Sequence, residues 1–182
     1  MISIPFSRPR PDPIAALYGD IVAAARMPRV YAEFGVADDF EGRFEYLALV
    51  ATLALRRLRS LPPPAGEIAQ QLVDRVFDGL DDALRRIGVS DLAVGKKVKK
   101  LAQGFYGRAG AYSAALDSGA EADMRTALAR NLFGGRLTPE AVPPALLAEL
   151  AAMTVRLDAA PLDALLAGGV LAAPASRSGG TP

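Results

Sequence analysis

The chain has 182 residues, enough for one domain with a substantial core, and 51% of them are hydrophobic. Its formal net charge is only +1, from 21 lysines and arginines against 20 acids, so any electrostatic function has to be local. It has neither cysteine nor histidine, which excludes disulfides and thiolate chemistry and removes the commonest general base together with the commonest transition-metal ligand.

Residues 1–11 form a proline-rich lead-in with two arginines, expected to be flexible. The opening MISIPFSRPRPDP lacks the apolar run of a secretory signal. The longest uncharged apolar run in the first half, residues 46–55, falls far short of the roughly 20 residues that span a bilayer. A cytoplasmic protein with membrane contact only at its surface is expected. Asp12 and Pro13 supply a cap and a first turn for a helix to about Arg26, with Ile14, Leu17, Tyr18, Ile21 and Val22 inward. Met27-Pro28 stops it, and a short helical turn, RVYAEFGV, ends at Gly35.

Asp38, Asp39 and Glu41 then precede a helix over residues 42–59, where negative charge suits the positive end of the dipole. Between residues 46 and 55 this helix has no polar face, so it is predicted to be the buried central element. Arg56, Arg57 and Arg59 close it at the negative end of the dipole. The linker LPPPAG follows, then an amphipathic helix over 67–87 with Ile68, Leu72, Val76, Phe77, Leu80, Leu84 and Ile87 inward. Asp74, Asp78, Asp81 and Asp82 mark its outer side without the alternating oxygen ligands and central glycine of a calcium loop, so a solvated face is expected.

Residues 88–112, GVSDLAVGKKVKKLAQGFYGRAGAY, are the stretch on which the functional reading turns. All four lysines of the chain, Lys96, Lys97, Lys99 and Lys100, fall within five positions of it. As a helix capped by Ser90 or Asp91 it puts Val94, Val98, Leu101, Phe105, Ala109, Tyr112 and Leu116 on one face. Lys96, Lys100, Gly104, Gly107 and Gly110 fall on the opposite side. Each helical glycine costs roughly 1 kcal/mol relative to alanine, so this spacing calls for a use. Bare backbone admits a second helix closely, either one of the same domain or one from a partner.

A helix over 120–133 follows, with Met124, Leu128 and Leu132 as core positions. Thr138, Pro139 and Glu140 open another, to about residue 157, with the stripe Val142, Leu146, Leu150, Met153 and Leu157. A short helix over 162–166 comes last, and residues 169–182 read as a disordered tail. The fold class is therefore all-α: a single compact domain over residues 12–168, with about seven helices around the apolar central helix 42–59. Neither a phosphate-binding glycine loop nor a dinucleotide fingerprint is found, and no cofactor is expected. The segment IGVSDLAVGKKVKK has the outline of a turn followed by a basic helix. It carries no Asn, Gln or Arg among the lysines to read bases, so DNA binding is not expected.

Four segments, in order, resemble the ubiquinol–cytochrome c chaperone family: YGDIVAAARMPRVYAEFGVADDFEGRFEYL (18–47), LRRLR (55–59), LDDALRRIGVSDLAVGKKVKKLAQGFYGRAGAYSAAL (80–116) and LARNLF (128–133). The most specific pieces are GVSDLAVGKKVKKLA, FYGRAGAY and the spacing from ARMPRVYAEFGV to GRF. The resemblance implies an all-helical, non-enzymatic factor that holds newly made cytochrome b during assembly of the respiratory ubiquinol–cytochrome c reductase. Mitochondrial members work with a small partner protein and associate with ribosomes near the exit tunnel. A chain without a targeting extension would act at the cytoplasmic face of the inner membrane. The family often carries a histidine after GRF where this chain has Val50, which argues against essential histidine chemistry.

From these readings, Lys96, Lys97, Lys99 and Lys100 with Arg56, Arg57 and Arg59 are expected to form one positive patch for ribosomal or lipid phosphate. Gly104, Tyr106, Gly107 and Gly110 are expected to border a client surface. Arg43, Phe44, Arg108 and Tyr112, in the GRF and FYGRAGAY motifs, are expected to be structural, the arginines in internal ion pairs or helix-end hydrogen bonds. The competing function is a general ribosome- or RNA-binding module acting through the basic patch alone. A carboxylate-based enzyme is a third.

Overall fold

The computed structural model describes Asp12 and residues 14–172; the expected lead-in and residues 173–182 lie outside the described residues. Within these, the chain forms eight α-helices and no strand: α1 Ala15–Ala25, α2 Pro28–Ala32, α3 Phe40–Ser60, α4 Ala65–Arg86, α5 Asp91–Ser118, α6 Glu121–Arg130, α7 Pro144–Ala159 and α8 Leu162–Ala167. The all-α expectation holds, and the described helices number eight with the short α2 and α8 included.

The centre is α3. Thirteen of its 21 residues are buried, including every one from Ala48 to Leu55, so the helix is enclosed on all sides. It starts where Asp39 Oδ1 accepts a hydrogen bond from the Gly42 N–H at 2.8 Å. Gly42 is needed there, because a Cβ would lie 2.0 Å from the Ala37 carbonyl oxygen. Helices α1, α4, α5 and α7 pack around α3, while α6 rests on α5 and α8 on α1. Among the described residues no helix is long and apolar enough to cross a membrane.

Three expectations change. The helix predicted from Thr138 is two pieces, a 3-10 turn at Pro139–Ala141 and then α7, because Pro143 directly before Pro144 is held extended. Ile87, expected inward, is 62% exposed, since α4 ends at Arg86 and the chain turns away from the core. The domain also reaches past residue 168. Leu171 is fully buried, and Asp20 of α1 accepts hydrogen bonds from the backbone N–H groups of Val170, Leu171 and Ala172 at 2.7, 2.8 and 3.0 Å. From the other side, Arg156 of α7 donates to the carbonyls of Val170 and Leu171. Residues 169–172 are thus strapped to the bundle rather than part of a tail.

Candidate functional site

Helix α5 carries most of the residues singled out above. Its inward face buries Val94, Phe105 and Tyr112, and Phe105 meets Phe77 of α4 edge to face at 5.5 Å. Two ion pairs fix how α5 lies on α3: Glu45 with Arg108, and Arg56 with Asp117. The sequence offsets are 63 and 61 residues, so the two helices run parallel and nearly in step.

This register divides the expected positive patch. The four lysines are exposed and, with Ala93 and Gln103, line one open groove near the start of α5. Among the described residues every ion pair is made by arginine, leaving these lysines without a carboxylate partner. Arg56 sits instead beside Asp117, and Lys100 and Asp117 are about 25 Å apart along the helix at 1.5 Å per residue. Arg57 is turned to the Ala160 carbonyl, 2.9 Å from Nη2, and to Ser60. Arg59 is exposed at the same far end of α3. Lysines and arginines therefore form two separate groups, because α3 ends where α5 ends and not where it begins.

The glycine face also differs from its simplest reading. Among the described residues no helix lies against it: a Cβ at Gly107 or Gly110 would meet nothing within 4 Å, and one at Gly104 would meet only the Arg108 side chain. The face is open, and Tyr106 upon it is 52% exposed. From Gln103 to Ala114 the only charge on α5 is Arg108, which turns inward to Glu45, so the outer surface there is smooth and uncharged. Ala111, Ala114 and Ala115 continue it into a shallow groove against α6. Ala115 also borders a larger hollow between α5, α6 and α7, where Leu116, Met124, Leu147 and the exposed Val155 are apolar. The result is a run of small and apolar side chains from Gly107 to α7, bordered on the α6 side by Asp123, Arg130, Glu121 and Arg125, and suited to an apolar helical segment.

The motif residues are mostly interior. Phe44 and Tyr112 are buried, and burial raises the Tyr112 phenol well above its ordinary pKa. Arg108 stacks over the Phe44 ring at 5.5 Å while pairing with Glu45. Arg43 pairs with Asp38 at 2.7 Å on the surface and lies 5.3 Å above the Tyr31 ring. Glu45 is 3% exposed, and burial raises its carboxyl pKa, opposed by the Arg108 hydrogen bond and charge. It lines a polar hollow with Asp39, Arg130, Asn131 and Arg136. Two of the three carboxylates there are already engaged, Asp39 as the cap of α3 and Glu45 with Arg108; the third is Glu41.

Sequence reasoning missed Glu45, Asp20 and Val155. The partners of Glu45 and Asp20 are 63 and about 150 residues away in sequence, beyond any periodic signal. Val155 could have been found, since it lies off the α7 stripe of Leu150, Met153 and Leu157.

A family model described as ubiquinol–cytochrome C chaperone matches residues 32–173, most of the chain. Among solved structures, the crystal structure of the Cbp3 homolog from Brucella abortus is 39% identical, covers 86% of both chains and superposes with a TM-score of 0.73. No curated protein matches the chain. With the model matched from α2 to the end of the strap, and a relative of this identity sharing the fold, the chain belongs to the ubiquinol–cytochrome c chaperone family.

Proposed function

We propose that this protein is a non-enzymatic assembly chaperone that binds newly made cytochrome b and assists assembly of the respiratory ubiquinol–cytochrome c reductase, at the cytoplasmic face of the inner membrane. The observation that carries the reading is the family match over residues 32–173. The open, uncharged side of α5 supports it physically, since an unassembled membrane polypeptide presents apolar helices that need a smooth surface. Gly107 and Gly110 let such a helix approach the α5 backbone, and Tyr106 and Val155 mark the ends of its path.

The unpaired lysine group at the start of α5 favours a second reading, a general ribosome- or RNA-binding module. Deleting the gene and recording a haem-stained profile separates the two. Selective loss of cytochrome b and of reductase activity is the expected result. A broad translation defect with cytochrome b merely in proportion supports the second reading instead. A photocrosslinker placed at Tyr106 should capture cytochrome b, and one at the exposed Gln71 on the outer side of α4 should not.

A further inference from the structure

We propose that the turn joining α4 to α5 docks this protein on an anionic lipid bilayer, with Ile87 and Leu92 seated below the phosphates and Lys96, Lys97, Lys99 and Lys100 bound to them. The proposal deepens the assembly-chaperone reading and rests on it for its purpose, which is to bring the open face of α5 to the membrane where a client emerges.

Two of the four large hydrophobic side chains exposed among the described residues lie at this one turn, Leu92 at 99% and Ile87 at 62%. The turn stands clear of the bundle, because Leu84 and Val94 beneath it are buried yet outside the continuous core. It is nevertheless firmly built. The Val89 N–H donates to the Leu84 carbonyl at 3.0 Å and the Gly88 N–H to that of Arg85 at 3.0 Å, with Gly88 at φ 88°. A rigid projection with bare leucine and isoleucine at its end is a costly feature in water and a useful one at an interface.

Charge specifies the partner. From Arg85 to Lys100 the chain carries six basic side chains and one carboxylate, Asp91. Arg85 holds Asp91 and Asp81, and Arg86 lies 3.9 Å from Asp82, so the nearby acids are neutralised and the lysines are not. Leu92, Lys96 and Lys99 follow one another on a single face. Lys96 and Lys99 are therefore about 6 and 10 Å behind Leu92, the depth to which an interfacial helix sinks into the headgroup layer. A nucleic acid would engage the lysines and leave Leu92 and Ile87 bare. Lipid phosphate over an apolar layer satisfies both.

The test is co-sedimentation of the full chain with vesicles of equal parts phosphatidylcholine and phosphatidylglycerol, against phosphatidylcholine alone. Binding to the anionic vesicles only is expected, with a loss of about tenfold or more for the Ile87→Ser/Leu92→Ser pair and about fivefold for each lysine removed. The chain has no tryptophan, so Leu92→Trp gives a single reporter, and its emission should shift to the blue on anionic vesicles. Val155→Trp, on α7, should not shift. Absence of binding, a serine pair that binds like the wild type, or an unshifted Leu92→Trp overturns the proposal. All three sites are exposed, and an unchanged thermal melt verifies folding. Because the vesicles hold no client, failure here leaves the cytochrome b phenotype of the deletion standing, and the reverse is equally true.

Discussion

Arg108, midway along α5, closes on Glu45 of α3 with both arms of its guanidinium, Nε donating to one carboxylate oxygen and Nη2 to the other. This pair sets the register between the longest helix and the central one. It lies beneath the open face of α5 and keeps that face uncharged by drawing its only arginine inward. Removing Arg108 alone should leave a buried carboxylate uncompensated. Arg108→Met is expected to cost about 3–5 kcal/mol in urea unfolding, whereas Arg108→Met combined with Glu45→Leu should recover most of that loss. Equal destabilisation by the single and double variants would mean that packing, not charge, holds the register.

The same carboxyl gives a pH dependence with a definite sign. Burial raises the folded-state pKa of Glu45 above its ordinary value of 4.5, so between these two values the folded chain holds a proton that the unfolded chain has lost. The contribution of Glu45 to stability is therefore greatest below the ordinary carboxyl range and falls as pH rises towards the folded-state pKa. Measured against Glu45→Gln in a series of urea titrations, the wild type should lose ground as pH climbs from about 4.5 and level off thereafter. A wild type that gains ground over this range would show the Arg108 pair outweighing burial.

The bundle and its centre were legible because periodicity is local. The unbroken apolar run of residues 46–55 announced an enclosed helix, and α3 is enclosed; of the acids before it, expected only to suit the helix dipole, Asp39 proves to be the cap. What the sequence hid depends on contacts between distant positions. Nothing in LRRLR says that Arg56 faces Asp117 rather than the lysines, because the parallel register of α3 and α5 is set by contacts between positions more than sixty residues apart. The glycine spacing was visible, but whether a helix of the same domain covered it was not. Ile87 shows the converse failure, a residue in phase with the α4 stripe that the helix end leaves outside.

Asp20 is the clearest case of a long-range contact with no sequence signal, and it carries its own prediction. Its carboxylate accepts three backbone N–H groups from the strap, while Arg156 holds two carbonyls from the other side. Asp20→Ala should cost about 2–3 kcal/mol, since hydrogen bonds to a charged acceptor are the stronger kind. It should also expose residues 168–172 to proteases, with Arg156→Ala acting in the same direction but less. Mass spectrometry of a brief digestion reads the cut site; protection equal to the wild type would show that Leu171 burial alone secures the strap.

The glycines of α5 separate stability from client binding. A Cβ at Gly107 or Gly110 meets nothing, so Gly107→Ala and Gly110→Ala should each stabilise the folded chain by about 0.5–1 kcal/mol through helix propensity. Gly42→Ala should do the opposite, because its Cβ would collide with the backbone oxygen of Ala37 at 2.0 Å. Two unfavourable glycines on an open face have a use if another helix comes close to that backbone. Leucine at both positions would keep the fold while holding an incoming helix away. Gly107→Leu/Gly110→Leu is accordingly expected to match or exceed wild-type stability in thermal melts yet lose most crosslinking from Tyr106 to cytochrome b. Crosslinking that survives the leucines would move the client to the apolar hollow around Val155 and leave the glycines without a binding role.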